Sequence, residues 1–286
     1  MILLSFGHGY SAQALERLLL PLGWEIIGTT RSPEKAKEME ARGITARLFP
    51  GTDLSADLTR ATHILISAGP NEAGDPVLTA ASDAISKVAG SKTWLGYLST
   101  TGVYGDHAGG WVDETTSLTP STERGRARVK AEAAWQDLAK ATGAPLHIFR
   151  LAGIYGPDRG PFAKVRNGTA RRIIKQGQVF SRIHVEDIAQ VLLASMQTPN
   201  AGAIYNLCDD NAAPPEDVIA YAAELLGLPT PPAINFEEAD LSPMARSFYA
   251  ESKRVRNTRI KEELGVTLRY PDYETGLRAL LAQEVT

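Results

Sequence analysis

The chain has 286 residues, 43% of them hydrophobic, with 25 glycines. That suffices to bury the core of one large α/β domain, or of a domain with an annex. A formal net charge of -3 and the lack of any long basic run argue against a nucleic-acid partner. The single cysteine, Cys208, excludes an internal disulfide and suits a reducing, cytoplasmic setting. No apolar run approaches the roughly 20 residues that span a bilayer, and the start reads as a strand rather than a signal peptide. No metal-ligand pattern stands out.

Ile2, Leu3 and Leu4 open an apolar run that ends at Phe6, the pattern of a buried parallel strand. Gly7-His8-Gly9-Tyr10-Ser11-Ala12 follows at once. Ala12, Leu15, Leu18 and Leu19 then recur at helical spacing, with Glu16 and Arg17 on the expected wet side. Strand, Gly-x-Gly-x-x-Ala and helix in this order form a dinucleotide fingerprint. Gly7 permits the tight turn, Gly9 lets backbone approach a pyrophosphate, and Ala12 lets the helix lie close. His8 contributes backbone only, and the helix start offers free N–H groups around Tyr10 and Ser11.

Trp24 to Thr29 is the second expected strand, followed by Arg31 and Ser32. An acidic residue here would bind the ribose of NAD; an arginine pairs instead with the 2′-phosphate of NADP. Arg31 with Ser32 therefore favours NADP over NAD, and Lys35 is a weaker helper. A charged helix covers Pro33 to Arg42, and Thr45 to Phe49 is a third strand. Asp53 reads as a helix cap or as a wall of the adenine site, with the cap preferred. Ala61 to Ser67 is a fourth strand, and Ser67-Ala68-Gly69 after it gives a bare turn for a cofactor. A helix over Pro76 to Val88 leads to a fifth strand, Thr93 to Leu98, and then to Ser99-Thr100-Thr101-Gly102-Val103-Tyr104-Gly105.

Strand and helix alternate regularly, which calls for a Rossmann-type doubly wound parallel sheet with helices on both faces. Ligands bind such sheets beyond the carboxyl ends of the strands, where all these residues fall. The Asp113-Glu114 pair reads as a solvated loop in preference to an acid-base pair. A long helix runs from about Pro120 to Ala141, and Leu146 to Leu151 is a sixth strand.

Together these residues resemble an atypical extended short-chain dehydrogenase/reductase of the NAD-dependent epimerase/dehydratase family. The resemblance covers the glycine motif, the Ser99 to Gly105 run, Arg150-Leu151-Ala152-Gly153-Ile154-Tyr155-Gly156-Pro157, and Ile183-His184-Val185-Glu186-Asp187. It implies an NAD(P)-dependent oxidoreductase or epimerase acting on a small carbonyl, hydroxylated or sugar-nucleotide-type substrate. Pairing through the long helix into a homodimer is part of the same implication.

One departure matters. The family's signature on the long helix is Tyr-x-x-x-Lys, and here Arg124 stands at the tyrosine and Arg128 at the lysine. Arginine stays protonated, so Arg124 cannot act as a general base, though it can hold an oxyanion. Arg128 can still reach ribose hydroxyls. Acid-base or orienting duty then falls on Ser99, Thr100 and Tyr104, with Tyr104 read in preference as an aromatic wall, or on Tyr249 from the tail. His184 and Asp187 read as a structural junction. The missing tyrosine also fits a second class, a non-catalytic NADP(H)-binding sensor.

The boundaries follow. Residues 1–158 and 183–210 form the dinucleotide-binding domain, with Glu186 to Met196 its last helix and Ala203 to Leu207 its last strand. Residues 159–182 and 211–286 form a small, mainly helical substrate-binding part. Arg166, Arg171, Arg172 and Lys175 read there as a diphosphate site or as a wet helix face. Short helices are expected over Val218 to Leu226, Lys253 to Leu264 and Tyr273 to Ala282, with Arg254 and Arg256 near the substrate or exposed.

Overall fold

A computed structural model describes residues 1–284, so the last two residues of the expected 211–286 unit lie outside the described residues. In chain order the first half runs β1 (Ile2–Phe6), α1 (Tyr10–Leu19), β2 (Glu25–Thr30), α2 (Pro33–Ala41), β3 (Thr45–Leu48), α3 (Ser55–Arg60), β4 (His63–Ile66), α4 (Pro76–Ser86) and β5 (Trp94–Thr100). It continues with β6 (Trp111–Val112), α5 (Glu123–Thr142), β7 (Leu146–Leu151), β8 (Gly153–Tyr155), α6 (Phe162–Arg166), β9 (Arg172–Ile174), β10 (Arg182–His184) and α7 (Val185–Gln197). The rest is β11 (Ile204–Leu207), α8 (Pro215–Leu225), β12 (Ala233–Asn235), α9 (Pro243–Phe248), β13 (Arg254–Val255), α10 (Thr258–Glu262) and α11 (Tyr273–Glu284).

Seven strands form one sheet in the order β11-β7-β5-β4-β1-β2-β3, every pair parallel. The order reverses at β1, which puts the switch point beside the glycine turn. Successive strand residues face opposite sides. Leu3, Leu65, Leu98 and Phe149 meet α1 and α7 through Leu15, Ile188 and Leu192. Leu4, Ile64, Tyr97 and Ile148 meet α3, α4 and α5 through Leu58, Ile85 and Trp135. This is the expected Rossmann-type fold, with a helical carboxyl-terminal part. A separate apolar cluster joins α6, α8 and α11 through Phe162, Val165, Ala222, Leu277 and Leu280.

Local chemistry sets the helix ends. Ser32 Oγ accepts from Lys35 N at 3.2 Å to cap α2, and Asp75 Oδ1 accepts from Val77 N at 2.9 Å to cap α4. Thr122 Oγ1 accepts from Gly125 N at 3.1 Å to start α5, and Gly143, at φ +73°, ends it.

Two expectations fail. The helix placed over Lys253 to Leu264 begins only at Thr258. Its first residues form β13, which pairs parallel with Trp111–Val112, because Lys253 Nζ is drawn 2.7 Å from Gly105 O and Arg254 N donates to Gly110 O. Glu16, expected on the wet side of α1, is 3% exposed. Its carboxylate accepts from His8 Nε2 at 2.8 Å and from Arg42 Nε at 2.7 Å. Burial alone would raise its pKa, but those two partners together hold it below the usual carboxylate value.

Candidate cofactor and substrate site

The turn after β1 is built for glycine. Gly7 sits at φ +74°, and a Cβ there would fall 2.8 Å from Ala68 N in the turn after β4. Thr29 of β2 fixes the turn from the other side. Its Oγ1 accepts from Gly7 N and its carbonyl from His8 N, both at 2.9 Å. Gly9 N then donates to Gly7 O at 2.7 Å. Gly9 leads α1 with no side-chain cap and no acidic residue in the first turn, so the first amides have no side-chain partner among the described residues. Ala12 and Ser11 are buried, and the His8 ring turns inward to Glu16, leaving only its backbone at the turn. Tyr10 is half-buried, donates from Oη to Pro157 O at 2.8 Å, and has its pKa pushed up to about 12 by burial.

At the end of β2, Arg31 is exposed, with no side-chain hydrogen bond or ion pair among the described residues. Ser32 differs. Its hydroxyl caps α2 and donates to Glu34 Oε2 at 2.6 Å, so it is committed to the helix rather than open to a phosphate. Asp53 Oδ1 accepts from Ser55 N and Oγ at 2.9 and 2.6 Å, which makes a turn one residue before the Leu54 cap position of α3. Ser67 N and Ala68 N both donate to Phe6 O, which stitches the turn after β4 against β1. Gly69 is exposed, and a Cβ on it would meet Arg128 Nη2 at 2.7 Å.

The end of β5 divides the expected catalytic residues. Ser99 points inward, its Oγ donating to Glu132 Oε1 at 2.5 Å. Glu132 takes a forked pair with Arg150 on β7, 2.7 Å at the closest contact, both side chains 3% exposed. Arg150 Nη1 donates to Tyr104 Oη at 3.0 Å, and Tyr104 Oη donates to Asn206 Oδ1 at 2.7 Å. Tyr104 is 0% exposed and burial pushes its pKa up to about 12. Neither the Ser99 nor the Tyr104 hydroxyl faces the open edge of the sheet, so the chemical duty expected of them has no access to a substrate here. They hold β5, α5, β7 and β11 together instead.

Thr100 and Arg128 do face that edge. Thr100 is half-buried, and its Oγ1 accepts from Gly102 N at 3.2 Å, which leaves its proton free among the described residues. Arg128 Nη1 donates to Leu98 O at 2.6 Å and to Tyr97 Oη at 3.1 Å. Arg124 lies exposed one turn earlier, its guanidinium carbon 4.6 Å from the Phe248 ring centroid of α9.

Other candidates are occupied. Glu114 accepts from Asn206 N at 2.8 Å, and Asp113 turns back on Thr115. His184 Nδ1 caps α7 through Glu186 N, and Asp187 accepts from Arg269 N and Tyr270 N. Three residues of the expected basic cluster are engaged elsewhere: Arg166 pairs with Glu284, Arg171 donates to Gly168 O and Ala170 O, and Lys175 donates to Tyr249 O, while Arg172 Nε is buried without a partner among the described residues. Arg254 donates to Gly109 O, and Arg256 stacks 4.8 Å from the Trp111 ring. Tyr249 packs between Phe180 and Phe236, with centroids at 5.6 and 5.2 Å. Cys208 is buried and donates to Val255 O. A hollow lined by Lys140, Gly143, Leu146 and Gly202 lies at the opposite, amino-terminal edge of the sheet, away from the glycine turn. Among the described residues no cluster could hold a metal ion, and no helix is long and apolar enough to cross a membrane.

Sequence reading missed Glu132. Its signal was present: it lies four residues after Arg128, on the same helix face, and Arg150 is a permanent charge inside a mostly apolar strand.

Comparison with known proteins agrees with this fold. The chain is 62% identical to a conserved protein of unknown function from Silicibacter pomeroyi DSS, covering 99% of this chain and 98% of that one at a TM-score of 0.94. It is 30% identical over 279 residues to Protein YeeZ of Escherichia coli K12, covering 93% of this chain and 95% of that one. UDP-glucuronic acid 4-epimerase from Bacillus cereus, solved with UDP-glucuronic acid and NAD, shares the fold at 16% identity and a TM-score of 0.78, over 99% of this chain and 100% of that one. The model of the NAD-dependent epimerase/dehydratase family matches residues 2–208, and the chain belongs to that family.

Proposed function

We propose that this protein is an NADP-preferring oxidoreductase or epimerase/dehydratase-like enzyme, acting on a small hydroxylated or carbonyl compound of the sugar-nucleotide type. The observation that carries the reading is the Gly7 turn, wedged against Ala68 with the amides of α1 left uncapped. Those amides suit a pyrophosphate. The free Arg31 guanidinium suits a 2′-phosphate, and the bare Ser67-Ala68-Gly69 turn suits the flat body of the cofactor. When bound, a nicotinamide supplies the hydride chemistry of the site.

The chain's own residues do the rest. Arg128 reaches the strand ends where ribose hydroxyls would lie, in place of a lysine. Thr100 offers its free proton to a reacting oxygen. Arg124, permanently charged, holds a substrate anion or a developing oxyanion but takes no proton. The part carrying α6, α8 and α11 covers the substrate.

The test is to incubate purified protein with NADPH and a panel of aldehydes, ketones and nucleotide sugars. Turnover that Thr100→Val abolishes supports the enzyme. Tight NADPH binding without turnover on the whole panel overturns it in favour of a cofactor-binding sensor.

A further inference from the structure

The turn after β8 leans on the first residue of α1. Tyr10 Oη donates to Pro157 O at 2.8 Å. Gly156 sits at φ +153°, and a Cβ there would fall 2.6 Å from Tyr10 Oη, so only glycine leaves room for that bond. Gly156 and Arg159 exchange two backbone hydrogen bonds of 3.2 and 3.0 Å, which close the turn tightly. The Arg159 guanidinium carbon then stands 5.3 Å from the Tyr10 ring centroid. Burial raises the pKa of the Tyr10 hydroxyl, and the Arg159 charge opposes that rise.

Arg159 is exposed, and among the described residues its side chain makes no hydrogen bond and no ion pair. An arginine anchored by a tight turn, steered by an aromatic face, and with its forked donors open is pre-organised for an oxyanion. Its neighbour Tyr10 opens α1, whose first turn carries no cap and no carboxylate. The helix end offers roughly half an elementary charge, well short of what a pyrophosphate carries. Arg31 follows β2 and Arg128 reaches the end of β5, so neither lies on the turn after β8 that meets Tyr10.

We propose that Arg159, held in place by Tyr10, is a pyrophosphate-binding residue of the dinucleotide site. This rests on the reading of the site as a dinucleotide site. It assigns to the segment after β8 a part in holding the cofactor, in addition to covering the substrate.

The experiment is titration calorimetry of the full chain with NADPH, NADH, ADP-ribose and adenosine. Wild type is compared with Arg159→Ala, Arg159→Lys and Tyr10→Phe, each checked for an unchanged melting temperature. Arg159→Ala should weaken every pyrophosphate-bearing ligand by roughly tenfold, the scale of one partly exposed charge-assisted contact, and leave adenosine unchanged. The loss should shrink at high salt. Arg159→Lys should restore part of it, and Tyr10→Phe, which keeps the ring and frees the turn, should fall between. Wild-type affinities in Arg159→Ala, or an equal loss for adenosine, would overturn the assignment alone. Wild-type protein that binds neither dinucleotide would overturn the dinucleotide reading itself, and this inference with it.

Discussion

Arg128 of α5 and Gly69 of the turn after β4 meet at the carboxyl end of the sheet: a single methyl on Gly69 would lie 2.7 Å from Arg128 Nη2. The contact exists because Arg128 is pulled over the sheet by Leu98 O at 2.6 Å. Removing the guanidinium takes nothing from the apolar core. Arg128→Ala should therefore leave the melting temperature close to wild type and weaken dinucleotide binding by about tenfold. Arg128→Lys should recover part of that, because it keeps charge but loses the planar fork. Calorimetry and a thermal melt on the same preparations check both.

The Glu132–Arg150 pair predicts the opposite pattern. Both side chains are 3% exposed, and Ser99 and Tyr104 depend on them. Breaking a buried pair from one side leaves a bare charge, at a cost of about 3–5 kcal/mol. Arg150→Met should lose stability on that scale in urea, and the double variant Arg150→Met/Glu132→Leu should recover much of it. A single variant as stable as wild type would contradict the buried network.

These two pairs mark what could be read from the chain and what could not. The alternating strands and the glycine turn are local patterns that periodicity and spacing reveal, and the place of Arg128 follows from the family resemblance. Ser99 and Tyr104 are also legible as lying at the end of β5. Their inward direction is not, because it is set by partners 33, 46 and 102 residues away in sequence. Glu16 was hidden likewise: its spacing suggests a wet face, but His8 and Arg42, eight and 26 residues away, draw it in. The strand at Arg254–Val255 is imposed by the loop carrying Trp111 and Val112, which no local signal near Lys253 announces.

Gly7→Ala tests the turn itself. The added carbon would need φ +74° and would press on a backbone nitrogen 2.8 Å away, which cannot move cheaply. Strain of about 1–3 kcal/mol is expected, with dinucleotide affinity falling further than stability alone requires. A Gly7→Ala variant that binds NADPH as wild type does would show that the turn is not the site.

Asp209 predicts a pH dependence. Burial, the largest influence, pushes its pKa up to about 8, and Arg182 only partly opposes it. The folded state then keeps a proton that the unfolded chain has already lost, so stability falls as pH rises towards 8. Between pH 7 and 8 the loss should be about 1 kcal/mol, and Asp209→Asn should flatten it. Urea midpoints at the two pH values measure this; equal slopes in both proteins would contradict it.

Arg31→Ala should weaken NADPH binding by roughly tenfold or more and NADH binding little, because only the former carries the 2′-phosphate. Equal losses for the two would remove the case for NADP.

The most direct measurement is calorimetric titration of the wild-type chain with NADPH and NADH. Saturable heat at one site per chain, stronger for NADPH and diminished in Gly7→Ala, is the predicted result. No heat from either dinucleotide at millimolar concentration would contradict the account at its root.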